Sequence, residues 1–397
     1  MKLKETFAAR ILNFVRQLNF AVGKPLSRVK DNTLVFFPDS ANMLSCGICA
    51  LVAYKGPASQ NYLQILSTGI DSLSGKCLAA NGKKSGRLVT EDFLGGETLL
   101  SDLFEAAQNM KQEVVFSDLF FDKEKIQTLT QLTDYLENFI TNESKEFRAS
   151  TSTLSAPEVD LVAERIEKLK DIHWCLKKEV LENITSIANL SPSLSIKDQN
   201  NGLDIFKRIN AVLNSIDRLE VRGRDSAGIS VLCTMASQEF EKYRDRLDSE
   251  GLASALKERS NHQILSNNSI SINNTQAPNV NGSQTTIGFV YKFAAEIGAL
   301  GDNISFIRSQ IKNDHLLQLI AGFNIKSTSV SAHTRWASVG DITEANCHPV
   351  DNTPTDTKVT QSGIIHVCLN GDIDNYLELK TEYEARYDKI HPEINTD

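Results

Sequence analysis

The chain has 397 residues, 41% of them hydrophobic, which is enough to bury one large core or two to three smaller ones and excludes wholesale disorder. Lys and Arg number 42 against 50 Asp and Glu, a formal charge of −8, so the basic footprint of a nucleic-acid binder is missing. The 7 cysteines are scattered, with a single Cys-x-x-Cys at Cys46 and Cys49 and no second pair to complete a zinc site, which argues against a disulfide framework and a metal.

No apolar run approaches the roughly 18 residues of a membrane span, and no short apolar core with a cleavage site follows Met1. A cytoplasmic protein without membrane partners is expected. In chain order, Leu3, Phe7, Ile11, Phe14, Val15 and Leu18 recur at helical spacing among Lys2, Lys4, Arg10 and Arg16, as in an amphipathic helix of an N-terminal extension, an organelle presequence or a membrane-surface helix. Gly47 to Tyr54 reads as a buried strand closed by the Gly56-Pro57 turn, with Cys46 opening it. Residues 58–200 are largely helical in period: Leu99, Leu103, Ala107 and Met110 form one stripe, and Val162, Ile166, Leu169, Ile172, Leu176 and Val180 another. Pro157 suits a first helical turn, Ser150 to Ser155 reads as a linker, and Glu164, Lys168 and Lys178 belong to a solvated face.

A further helix through Ile205, Ile209, Val212, Ile216 and Leu219 ends at the turn Arg222 to Gly228, before a strand over Ile229 to Cys233. Residues 261–284, rich in Asn, Ser and Gln, predict an exposed, mobile loop. Helices are predicted near 287–299 and 303–321, then strands over Ser327 to Ala332 and Ile364 to Leu369. The last strand delivers Asn370-Gly371, and Asp374 or Asn375 caps a final helix reaching Arg386. The alternation of helices and strands indicates an α+β or α/β fold.

Four motifs carry chemistry: Cys46-Gly47-Ile48, Arg222-Gly223-Arg224-Asp225-Ser226-Ala227-Gly228, His333-Thr334-Arg335-Trp336-Ala337 and Asn370-Gly371. They supply a thiol nucleophile, a guanidinium able to grip a carboxylate, and an amide beside a glycine that can hold an oxyanion. Each residue also has a plainer reading. Cys46 can be a small apolar side chain in a strand, Arg335 a surface ion pair, Asn370-Gly371 a common turn, and Asp225-Ser226 a capped helix-to-strand turn.

By their order and number these motifs resemble the class II glutamine amidotransferases. The likeness is greatest to the members that aminate fructose 6-phosphate, and it covers islands at about 43–55, 205–234 and 326–397. The resemblance implies an α+β fold, an N-terminal-nucleophile α/β/β/α sandwich interrupted here by a helical insertion over 58–200 and a second insertion over 235–325. The glutaminase parts are then 46–57, 201–234 and 326–397. Cys46 becomes the nucleophile, with its own α-amine as base, after removal of residues 1–45. Asn370 and Gly371 form the oxyanion hole, and Arg222 lies near the active site. Arg335 reads the α-carboxylate of glutamine, Asp397 reads its α-amine, Trp336 gates ammonia or packs in the core, and His348 is a substrate-site or structural histidine. No cofactor is implied.

Glutamine is the implied donor, fructose 6-phosphate the acceptor on sugar-isomerase domains outside this chain, and a homo-oligomer the full-length assembly. An acceptor of the phosphoribosyl diphosphate type and a non-catalytic glutamine-sensing interaction protein are the alternatives. Three features depart from the family pattern. The cysteine is internal, Val339 replaces a histidine, and the chain stops at Asp397 before the remaining strands, as a fragment would.

Overall fold

In the computed structural model the described residues are 47–52, 61–78, 92–194, 202–275, 282–294, 299–351, 363–387 and 389–397. The N-terminal helix expectation, Cys46 and the Gly56-Pro57 turn all fall outside them.

Among the described residues, five antiparallel strands form the central sheet in the order β1-β5-β2-β4-β3: β1 (Gly47–Val52), β2 (Ser226–Ala236), β3 (Ile270–Thr275), β4 (Gln284–Ala294) and β5 (Ile325–Arg335). β1 is expected as a buried strand but stands at the sheet's edge, pairing with β5 from Gly47 opposite Thr334 to Val52 opposite Ser329. β2 is central, and Ser226 to Val231 are all buried because both faces are covered.

One face carries helices. The amphipathic α7 (Gly202–Leu219) presses Ile205, Ile209, Val212 and Ile216 inward, and an added Cβ on Gly47 would meet the Leu219 Cβ at 2.6 Å. The other face, with Ser226, Gly228 and Ser230, meets a two-stranded layer of β6 (Val350–Asp351) and β7 (His366–Val367). Small residues are needed there. A Cβ on Gly228 would lie 2.1 Å from the His348 carbonyl oxygen, and Ser230 Oγ stands 2.5 Å from His366 Nδ1.

Before α7, six helices among the described residues build a block: α1 (Tyr62–Leu73), α2 (Gly96–Asn109), α3 (Glu113–Phe120), α4 (Lys123–Ser150), α5 (Ala156–Trp174) and α6 (Glu182–Leu190). α5 runs through a π-helical stretch, Cys175–Leu181, into α6. The predicted stripe from Val162 to Val180 is buried, and Pro157 lies in the first turn of α5. Lys168 pairs with Glu97, and Lys178 with Glu182 at 2.6 Å. The expected linker Ser150 to Ser155 is instead a tight corner. α4 runs to Ser150, a 3-10 turn spans Thr151–Thr153, and Ser155 caps α5 reciprocally with Glu158.

The block shares one hydrophobic cluster with α7 and the sheet. A polar seam reinforces the join: Asn183 Oδ1 on α6 accepts from the side-chain amides of Asn210 (2.9 Å) and Asn214 (2.8 Å) on α7. The Oδ1 atoms of those two asparagines accept in turn from Arg308, at 3.0 and 2.6 Å.

The remaining helices are α8 (Ser237–Ser249), α9 (Ala253–Ser260), α10 (Asp302–Asn313), α11 (His315–Ile320) and α12 (Tyr376–Arg386). Three expectations are corrected here. Over 287–294 the helix predicted near 287–299 is instead strand β4, whose two covered faces bury Ile287, Phe289 and Tyr291 on one side and Val290 and Lys292 on the other. A strand buried on both faces reads as a continuous apolar run, and that run contains helical spacing by chance. The predicted loop 261–284 contains β3, with Leu265, Ser269 and Ile270 buried, and Asn267 Oδ1 accepts the Lys292 backbone N–H at 3.1 Å. The segment 235–325 therefore supplies two strands of the main sheet. The helix expected over 303–321 breaks at Asp314, whose carboxylate caps α11 through the N–H groups of Leu316 and Leu317. No helix among the described residues is long and apolar enough to cross a membrane.

Candidate active site

Three strand ends at one end of the central sheet bring Gly47, the Arg222–Gly228 turn and the end of β5 together. Gly47 is opposite Thr334, and Arg335 at the end of β5 is opposite Ser226 at the start of β2. Gly223 is packed so closely that an added Cβ would lie 2.7 Å from the Arg335 carbonyl carbon. Asp225 then clamps the chain leaving β5. Its N–H donates to the Arg335 carbonyl at 3.2 Å, and its Oδ2 accepts from the Ala337 N–H at 2.7 Å. Arg222, in the 3-10 turn Glu220–Arg222, is half-buried beside this corner.

Arg335 is 3% exposed, and its guanidinium is largely engaged by the protein itself. Nη1 donates to the Asp341 carbonyl at 3.0 Å, and Nη2 to the Val339 carbonyl and, at 3.4 Å, to Thr396 Oγ1. The turn over 336–341 is thereby wound around the cation, while Trp336 stays 40% exposed, which sets aside a buried packing role. Asp397 Oδ2 accepts the Ile373 N–H at 2.6 Å, and Ser338 Oγ donates to Asp372. Arg335, Asp397 and the segment following Asn370-Gly371 are thus knitted into one polar region. Asn370 and Gly371 themselves are exposed, and Gly371 has φ +131°, a backbone region that favours glycine.

His348 lies beneath this turn, 5% exposed, its Nδ1 accepting the Leu369 N–H at 3.2 Å. Its ring packs tilted, at 51° and 4.7 Å between centroids, against His333, which is fully buried. Burial pulls His348 down to about 4, with Arg335 and Lys292 adding to it, and pulls His333 down to about 3, with His348 adding to it. These rings stay neutral in the fold, whereas in the unfolded chain each takes a proton below its ordinary value near 6.5. Their contribution to stability is complete above that value and is lost as pH falls toward 4. Urea titrations at pH 7 and pH 5 should show about 2 kcal/mol lost per ring. His333→Phe should remove its share of that slope.

Sequence reasoning missed Asn346, Asp341 and Asn395, which hold the 335–348 loop against 395–397. Asp225, read there only as a bland capped turn, is a clamp. Nothing in local periodicity marks these residues, since their partners are distant in sequence. Among the described residues no group of three or more His, Cys, Asp or Glu side chains is placed to hold a metal ion. The cysteines pushed up by burial include Cys233 and Cys368, each to about 12, which suits inert packing. Cys46 is the one cysteine outside the described residues.

A region bearing an arginine, an aspartate and an Asn-Gly turn around one strand end is suited to recognising a small zwitterion and polarising its amide. The chain is 33% identical over 94 residues to the glutamine–fructose-6-phosphate aminotransferase (isomerizing) of Streptococcus agalactiae, a match covering 24% of this chain and 14% of that enzyme. The enzymes of the same name from Thermus thermophilus (30% over 96 residues; 24% and 15%) and Aquifex aeolicus (38% over 82 residues; 21% and 12%) are similar to it over comparable shares. The match therefore spans about a quarter of this chain and a much smaller share of each relative. No family model and no solved structure matches.

Proposed function

We propose that this chain carries a class II glutaminase site that releases ammonia from glutamine for the amination of fructose 6-phosphate to glucosamine 6-phosphate. The observation that carries this reading is the convergence of Gly47, Arg335 and the Asp397–Ile373 hydrogen bond beside Asn370-Gly371 at one end of the sheet. The similarity to the aminotransferases supports the choice of acceptor. The layering of helices, antiparallel sheet and a stacked strand pair supports an N-terminal-nucleophile sandwich into which the helical block is inserted.

In this reading Cys46, once it is the first residue, passes its thiol proton to its own α-amine, whose ordinary pKa of about 7.7–8.0 suits transfer near neutrality. The thiolate adds to the side-chain amide carbon of glutamine. The oxyanion receives hydrogen bonds from the Asn370 amide and the Gly371 N–H. Collapse breaks the C–N bond, the nitrogen takes the proton held by the amine, and ammonia leaves a thioester. Water then cleaves the thioester to glutamate and restores the thiol. Arg335 reads the α-carboxylate with the N–H donors its backbone partners leave free, and Asp397 reads the α-amine with the oxygen not facing Ile373. Arg222 neutralises charge at the corner, Trp336 covers the ammonia route, and His348 supports the turn from below.

The test is made on the full gene product. Mass spectrometry of its N-terminus, paired with an assay for glutamate release, should find Cys46 first in the active species. Glutamine hydrolysis by protein that retains residues 1–45 would be incompatible with this mechanism.

A further inference from the structure

We infer that Asn346 is a positioning residue of the proposed glutamine clamp, locking the segment that carries Asp397 in register with the turn that holds Arg335. This inference rests on the glutaminase reading. Asn346 is fully buried, and its side-chain amide is used to capacity. Its Oδ1 accepts from the backbone N–H groups of Asn395 at 2.8 Å and Thr396 at 3.1 Å, and its Nδ2 donates to Asn395 Oδ1 at 2.6 Å and to the Asp341 carbonyl at 3.2 Å.

Two of these partners also belong to Arg335. The Asp341 carbonyl accepts from Arg335 Nη1, and Thr396, held by its N–H on Asn346, places its hydroxyl 3.4 Å from Arg335 Nη2. Asn395 closes the lock from the other side, donating Nδ2 to Asp341 Oδ2 at 2.7 Å and accepting the Asp341 N–H at 3.0 Å. The approach is close enough that a Cβ on Gly340, at φ +80°, would lie 2.8 Å from the Asn395 carbonyl oxygen. The amide thus spans the space between the two charges that must match the separation of an α-carboxylate and an α-amine, while remaining sealed from any substrate itself.

An aspartate at 346 keeps the shape but loses both donors, setting a carboxylate against Asn395 Oδ1 and the Asp341 carbonyl. In the full-length protein with Cys46 exposed, Asn346→Asp and the milder Asn395→Ala should each raise KM for glutamine about tenfold or more. kcat should change by less than about twofold, because the oxyanion donors are not on these segments. Cys46 should react with iodoacetamide at the wild-type rate in both, a readout that general loosening would alter. Should Asn346→Asp lose its thermal transition, Asn395→Ala decides alone: a raised KM supports the inference and an unchanged KM overturns it. A fall in kcat at constant KM also overturns it. Glutamine hydrolysis by the wild type with wild-type KM in both variants removes this inference and leaves the glutaminase reading standing, whereas a wild type that hydrolyses no glutamine removes both.

Discussion

Asn370→Ala is expected to lower kcat for glutamine hydrolysis about a hundredfold or more with little change in KM. A side-chain amide aimed at a developing oxyanion contributes about 2.7–4 kcal/mol to the transition state and little to the ground-state amide, so its loss falls on turnover. Asn370 is exposed in the irregular chain beyond β7 (His366–Val367), so alanine there opens no cavity in the core. Gly371 beside it has φ +131° with nothing within 4 Å of an added Cβ, so glycine is required there for backbone conformation and not for space. Initial rates of glutamate release across a glutamine series settle the matter, and wild-type turnover in the variant removes Asn370 from the mechanism.

Gly228→Ala should produce the largest stability change among alanine substitutions at the described glycines. The new Cβ would sit 2.1 Å from the His348 carbonyl oxygen, a backbone atom with no rotamer to escape into. Overpacking in a tight core costs about 1–3 kcal/mol and sometimes more. Here the displaced residue also accepts the Leu369 N–H and packs against the His333 ring, so movement propagates to the turn bearing Asn370. Urea unfolding should show a loss of at least about 2 kcal/mol, accompanied by reduced glutaminase activity at temperatures where the variant is still folded. A wild-type midpoint would mean that the strand pair shifts off the sheet without cost.

Elements with a single buried face were legible from the amino acids, and those whose environment is set by distant chain were not. α7 and the stripe of α5 show the 3.6-residue spacing of one buried side, and the turn Arg222 to Gly228 ends α7 before β2 within a few residues of expectation. β4 was unreadable as a strand because burial on both faces erased its alternation. In 261–284 the polar residues that signal solvent in isolation, Asn267 and Ser269, instead satisfy backbone groups of β4 or sit inside. The site divides the same way. The motif residues Arg335 and Asp397 share a polar region, but the partners that orient them, Asn346, Asp341 and Asn395, connect segments that only folding brings together. His348 was visible as a histidine beside a proline, while its work as acceptor for Leu369 was not.

The asparagine seam between α6, α7 and Arg308 bears on any attempt to trim this protein to a minimal domain. Excision of residues 61–194 would strand more than apolar surface. Asn210 and Asn214 would lose the carbonyl that fixes their orientation, and both amides would be free to flip. A flipped amide turns its NH2 toward Arg308, replacing two acceptors with donors against a cation whose surroundings already hold it below its usual range through burial. A shortened version must therefore either rebuild the Asn183 carbonyl on a new surface or replace Asn210, Asn214 and Arg308 as a unit, since changing any one leaves the other two mismatched.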